Sequence, residues 1–478
     1  MADMTNDKGN DLVENGNLLD VEIEKQDAKC HINRTMLPCK IAYFSLISTH
    51  GALEPFMNVF LRSVGFSPAR AGFITGIRQL AQIIGNPLWS IIGDRSRKHK
   101  QLIVLVAVLA TGINFCLPWI GKPTGEMKPG HIKSNNSMLA KNSSSNDTIL
   151  KPNPQFVSIA AVTFSAGFVE SSLESYVTAR TMKMIEYNND GSTYGGQRFV
   201  GEIGYALSSL ITSILTEVVH KDGFSVYTPL YFVFLTGMLV FIANCFFLFR
   251  KKVEVQKKSK VGIWGPLFIT LKNPNVIFFY MTALVNGIAR GAFLGFLFLR
   301  LEDIGSPRIV MGLGILLSTI FGAILYNFSA KLIQFLGGAN FAQAASVLSF
   351  VPTYIMVSDI NNAWILLSIT PLSAFCLPLY WSAAVEEAYN FSPKQISTTI
   401  LGLLDVINGP VGALIANMLG GLVYEKYGGR WLFRGTAFLC LCWGSIAIAK
   451  AVVDRKRAIQ RENKGDQEGF KENIEGCC

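Results

Sequence analysis

The sequence is poor in charge. Asp, Glu, Lys and Arg make up 16% of its 478 residues, against about 25% in an ordinary soluble domain. So long a chain with so few charges has too little polar surface to face water all round, which argues against a soluble globular protein. Histidine is scarce too, with five copies. There is no HExxH pair, no His-box cluster and no nucleotide-binding glycine loop, so a membrane enzyme, a metal site and a bound cofactor are not expected. The nine cysteines contain no CxxC spacing. Cys116, Cys245, Cys376, Cys440 and Cys442 lie in apolar runs, so neither a disulfide framework nor a zinc or redox motif is indicated. Residues 1–36 lack the basic start and apolar core of a signal peptide and read as a disordered cytosolic tail.

Apolar residues are what the chain has instead: they make up 50% of it, with Phe at 33 copies. The formal net charge of +10 does not suggest nucleic acid, because the bases are confined to short segments between apolar runs. Such bases read as retention on the cytosolic side of a membrane. A spanning helix needs about 20 mostly apolar residues. Twelve such runs occur, near 38–62, 67–92, 101–120, 155–182, 196–218, 226–249, 275–300, 307–327, 338–358, 364–388, 398–424 and 431–453. They are numbered here as spans 1 to 12. The expected fold is an all-α membrane protein with twelve transmembrane helices in two pseudo-symmetric six-helix bundles, residues 37–249 and 275–453. A basic linker, residues 250–274, turns amphipathic around Trp264 and suits the membrane surface. Residues 454–478 form a second cytosolic tail, and its terminal Cys477-Cys478 pair is expected to carry no lipid.

Orientation follows from the bases after spans 2, 6 and 12, which an even number of spans puts on one face. Both termini are then cytosolic, in the plasma membrane or an endomembrane. The long loop at residues 121–154 falls on the other face and carries sequons at Asn135, Asn142 and Asn146, expected to be glycosylated. Asn33 and Asn390 also begin sequons, but they fall on the cytosolic side and are expected to be unmodified.

The two halves repeat. "GALEPFMNVFLRSVGFSPARAG", Gly51 to Gly72, matches "GAFLGFLFLRLEDIGSPRIVMG", Gly291 to Gly312. Arg62 pairs with Arg300, Gly65 with Gly305 and Pro68 with Pro307. The Ser-Pro pairs suit helix starts. A duplicated six-span unit predicts a binding site between the halves.

An ionisable side chain at mid-membrane costs about 2.5–3.5 kcal/mol on insertion scales, so such groups should face an interior or a wet cleft. The candidates are Glu54 (span 1), Arg78 (span 2), Glu170 and Glu174 (span 4), Glu202 (span 5), Arg290 (span 7) and Asp405 (span 11). Spans 3, 6, 9 and 12 lack a central charge and are expected to face lipid. Glu170 and Glu174, four apart, share a helix face. They either share a proton or pair with arginines to lock helices together. Glu54-Pro55 and Asn408-Gly409-Pro410 are expected to bend or break their helices. His50 reads as a satisfied interior histidine.

"SIIGDRSRK", Ser90 to Lys98, resembles the loop signature Gly-x-Leu-Ala-Asp-Arg-x-Gly-Arg-Lys of the major facilitator superfamily. Asp94 and Arg95 match it, while Ser90 and Arg97 stand where it has glycine. The resemblance implies that Asp94 ties neighbouring helix ends together in one conformation. "YGGQRFVGEIGYA", Tyr194 to Ala206, is similar to a stretch of the lactose-permease-like carriers whose arginine binds substrate and maps to Arg198. Val200 and Glu202 replace its Trp and Ser, so sugar specificity does not carry over. "FLFLRLEDIG", Phe296 to Gly305, resembles the animal domain-containing protein 6 branch. The implied function is secondary active transport of a small polar solute by alternating access, with protons as possible coupling partners and the lipid bilayer as surroundings. The alternative is a transporter-like cell-surface receptor or scaffold without transport.

Overall fold

The computed structural model describes residues 35–95, 99–121, 153–188, 194–219, 225–248, 264–373, 376–393 and 396–475. Asn135, Asn142 and Asn146, the first tail and most of the linker lie outside them, as does Cys477-Cys478. No strand occurs among the described residues. The helices follow the predicted spans. In the first half they are Leu37–Leu53 with Met57–Ser63 (span 1), Pro68–Arg95 (span 2), His99–Phe115 with Leu117–Ile120 (span 3), Pro154–Glu170 with Leu173–Asn188 (span 4), Tyr194–Val218 (span 5) and Pro229–Leu248 (span 6). In the second half they are Pro274–Asp303 (span 7), Arg308–Leu336 (span 8), Ala339–Asp359 (span 9), Ala363–Ser373 with Cys376–Phe391 (span 10), Ser397–Val406, Ile407–Val411 and Gly412–Tyr427 (span 11), and Gly429–Glu475 (span 12). The last runs well past its apolar part, into residues expected to be a tail. A short helix, Trp264–Leu271, precedes span 7 and exposes Phe268 and Ile269.

By length and composition, ten helices among the described residues suffice to cross a membrane. The two that fall short are explained by their sequences. Span 1 is divided at Glu54, and span 2 carries Arg70, Arg78, Gln79, Gln82 and Asn86. The division at Glu54-Pro55 has a local cause. Pro55 has no N–H to offer the Gly51 carbonyl four residues back. Ser209 of span 5 takes that carbonyl instead, its hydroxyl donating at 2.6 Å. Gly51 makes the contact possible, since a Cβ there would lie 2.3 Å from the Tyr205 carbonyl oxygen. The second expected break takes another form: Pro410 sits in a π-helical turn, Ile407–Val411, and the helix continues through it. Spans 3, 6, 9 and 12 expose large apolar side chains, among them Leu105, Val108, Phe246, Phe247, Ile355 and Phe438.

The duplicated corner is built alike in both halves. Gly65 and Gly305 both have positive φ, 106° and 72°. In the first, the Gly65 N–H bonds the Arg62 carbonyl and the Phe66 N–H bonds the Leu61 carbonyl; in the second, Gly305 and Ser306 do the same to Glu302 and Leu301. This paired closure caps a helix end on a left-handed residue, which is why both copies keep glycine.

Candidate solute-binding cleft

The predicted charges separate into two groups. The first is sealed within the first half. Arg78 of span 2 pairs with Glu170 of span 4, their side chains 6% and 5% exposed. Asn114 of span 3 donates to the other Glu170 oxygen at 2.5 Å and accepts from Arg78 at 3.3 Å. Gly167 lets spans 2 and 4 close over this trio, because a Cβ there would meet the Arg78 carbonyl oxygen at 2.6 Å. Two full charges with so little water remain affordable only when paired and hydrogen-bonded. Of the readings open for Glu170, pairing with an arginine is the geometry found. The expected shared face is interrupted, because one helix of span 4 ends at Glu170 and the next begins at Leu173, and Glu174 pairs elsewhere.

The second group lies between the halves. His50 Nδ1 is 3.0 Å from Glu54 Oε1, one turn along span 1. Arg198 donates to Glu174 at 2.5 Å, with Glu202 4.0 Å from its Nε. From the second half, Arg290 of span 7 lies within electrostatic reach of Glu54, Glu202 and Asp405. Tyr205 of span 5 and Tyr326 of span 8 stand in the same field, each near Glu202 and Arg290. Six spans thus contribute to one cluster: 1, 4, 5, 7, 8 and 11. Arg290 is half-buried, yet among the described residues it makes no hydrogen bond or ion pair with protein.

Spans 7 and 11 are held in register beside Arg290. A Cβ on Gly287 would lie 2.4 Å from the Asn408 carbonyl oxygen, and one on Gly412 would lie 2.5 Å from the Gly287 carbonyl carbon. Asn286 donates to the Asn408 side chain at 3.2 Å. Asn408 lies in the π turn, so this irregularity packs directly on span 7, between Asp405 and Arg290 in height. Turns of this kind recur at functional sites.

Cross-half hydrogen bonds gather at the face opposite the termini. Arg62 donates across the halves to Asp303 at 2.5 Å, and Tyr424, of the same half as Asp303, donates to its other oxygen at 2.6 Å. Asn58 donates to the Gly295 carbonyl at 2.6 Å. The Ala69 amide donates to Glu425 at 2.9 Å, the Arg308 amide to Glu217 at 2.8 Å, and Tyr227 to Glu302 at 3.0 Å. The repeated corner supplies much of this latch. Its arginines nonetheless differ in role, since Arg300 stays in its own half and donates to the carbonyl of Ser358 and the side chain of Asn361 at the end of span 9.

Asp94 and Arg95 end span 2 next to the connection to span 3; their side chains lie outside the described residues. No cluster of three or more metal-ligating acids, histidines or cysteines occurs among the described residues. A separate cavity of about 320 Å³ between spans 7, 9, 10 and 12 is lined by Asn275, Glu387, Lys450 and Asp454 and includes none of the cleft residues. Reading ionisable groups alone misses Asn58, Asn114, Tyr205 and Tyr326, because uncharged polar residues are common in membrane helices and carry no pattern of their own.

The profile of the MFS_1 like family matches residues 36–435. The chain is 20% identical over 474 residues to the "Major facilitator superfamily domain-containing protein 6-like" of Danio rerio, covering 86% of each. It is 20% identical over 408 residues to the maltose permease of Geobacillus stearothermophilus, covering 84% of this chain and 90% of that one. Its fold is similar to that of the nucleoside transporter NupG, with a TM-score of 0.69 at 11% identity over 87% of this chain and 98% of that one. Because the profile runs from the first helix into span 12, across both halves and the cleft between them, the chain belongs to the MFS_1 like family of the major facilitator superfamily, in the domain-containing protein 6-like branch.

Proposed function

We propose that this membrane transporter of the major facilitator type is a secondary active carrier of a small polar solute, working by alternating access. The observation that carries this reading is the one-sided latch. Cross-half bonds gather at the face opposite the termini, and an ionic cluster from both halves lies deeper in the molecule. The basic segments after spans 2, 6 and 12 put the terminal face in the cytosol, so the latched face is the outer one. Moving solute then requires the latch to part while the terminal ends close, with the halves rocking about the cleft.

The test uses protein in liposomes. A short thiol-reactive crosslinker joining Arg62→Cys to Asp303→Cys should abolish solute exchange, and a cleavable version should restore it on cleavage. Exchange that continues with the latch crosslinked overturns the reading. Proton coupling is supported by the cleft carboxylates Glu54, Glu202 and Asp405. It predicts uptake driven by an imposed pH gradient; indifference to the gradient with solute binding intact removes it.

A further inference from the structure

We propose, resting on the carrier reading above, that the cleft takes an amphoteric solute, with an anionic group on the Arg290 guanidinium and a cationic nitrogen at Glu202 and Asp405. The charges themselves select this class. Glu54 has His50 at 3.0 Å. Glu174 has Arg198 at 2.5 Å, which leaves Glu202 only a loose contact at 4.0 Å. Asp405 is exposed, and among the described residues it has no hydrogen bond or ion pair. Once the close pairs are set aside, one cation and two carboxylates remain, drawn from spans 5, 7 and 11.

Each of the three would be costly to enclose around a bound solute that gave it no partner. Arg290 is the most telling, because its planar fork matches a carboxylate bidentately. A neutral sugar or nucleoside would bury these charges without neutralising them, a desolvation that hydroxyls offset poorly. A purely anionic solute would meet Arg290 but confront two carboxylates. A purely cationic one would satisfy the carboxylates and leave the guanidinium unmet. Only a solute carrying both signs meets all three.

The frame suits a compact molecule of this kind. The Gly287–Asn408 and Gly412–Gly287 contacts fix span 7 against span 11. Arg290 therefore stands one turn to one side of the crossing and Asp405 one turn to the other. Tyr205 and Tyr326 share the field of Arg290 and Glu202 and supply ring faces with a hydroxyl at the tip, a wall that accepts both methylene and polar surface.

The experiment is a thermal-shift series on the purified full chain in detergent. The probes are the common amino acids and glycine betaine, each beside the matched amine and the matched carboxylic acid that lack one charge, with maltose and uridine as neutral probes. At least one amphoteric compound should stabilise the protein and bind about tenfold or more tightly than either singly charged relative. In Arg290→Gln the advantage of that compound over its amine should vanish. In Asp405→Asn its advantage over its acid should shrink. Where Arg290→Gln fails to fold, Arg290→Lys serves; it should keep a reduced advantage over the amine. Stabilisation by maltose or uridine alone overturns the proposal. So does the absence of a shift with every amphoteric compound, or an advantage untouched in Arg290→Gln. Binding in detergent needs no translocation, so the two readings fail separately. A zwitterion that binds but is never exchanged in liposomes defeats the carrier. Exchange of neutral solutes only defeats the charge assignment.

Discussion

His50 and Arg290 occupy equivalent places in the two halves, each just before the Gly-Ala that opens the repeated segment. The basic side chain of the first half has Glu54 one turn on, at 3.0 Å. That of the second half has Leu294 at the corresponding position and stands within electrostatic reach of Glu54 and Glu202 across the cleft and of Asp405 in its own half. Duplication thus supplied two similar helices, and divergence at one position satisfied one base locally and left the other for the cleft. The repeated corner diverged in the same way. Arg62 crosses to Asp303, whereas Arg300 caps span 9 within its own half. The first half also seals its deepest arginine, Arg78, against Glu170 and Asn114.

The largest expected effect tests the contrast between sealed and open arginines. Arg78→Ala leaves Glu170 buried without its partner and should cost about 3–5 kcal/mol, read as loss of monodisperse protein and a lower Tm. Arg290→Gln should fold nearly as well as the parent. Equal stability of the two variants would erase the distinction.

Giving the second half the partner of the first is the next step. Leu294→Glu places a carboxylate one turn from Arg290. It should leave Tm unchanged or higher and weaken binding of the amphoteric solute by about tenfold, roughly 1.4 kcal/mol. Unchanged affinity, measured by the same thermal-shift titration, would show that Arg290 does not hold the solute.

The two corners should respond alike where they are built alike. Gly65→Ala and Gly305→Ala each force a side chain into the left-handed region, at on the order of 1 kcal/mol. A marked inequality in the two Tm changes would break the structural equivalence of the repeats.

Where the corners diverge, effects should be smallest. The Arg62–Asp303 pair is partly exposed, so Arg62→Asp should loosen the latch by about 0.2–1 kcal/mol. The readout is faster labelling of a cysteine at Ser225, which is buried beside it. The exchanged pair, Arg62→Asp with Asp303→Arg, should slow the labelling again; no recovery would argue that the contact is incidental.

Much of the fold was legible in the chain itself. Apolar runs marked the helices, and the Arg-Gly-Ser-Pro corner exposed the repeat, because glycine at positive φ and proline at a helix start are local requirements. Pro55 and Pro410 announced irregular helices, yet the same residue type gave a break in one and a π turn in the other. That outcome depended on what lay opposite: a Ser209 hydroxyl in one case, the Gly287 backbone in the other. The candidate charges were legible as a set and not as partners. Arg78 and Arg290 looked equivalent in sequence, each an arginine near the middle of its span.

The sequence by itself determined where the helices run, that they come in two related sets of six, and which positions hold costly charge, because hydropathy and insertion cost act residue by residue along the chain. Only the tertiary structure decided which charges neutralise one another and which stand without a close protein partner. Pairing depends on distances between side chains far apart in the chain, such as Glu54, Glu202, Arg290 and Asp405, and those distances are set by how six-helix halves pack across a cleft.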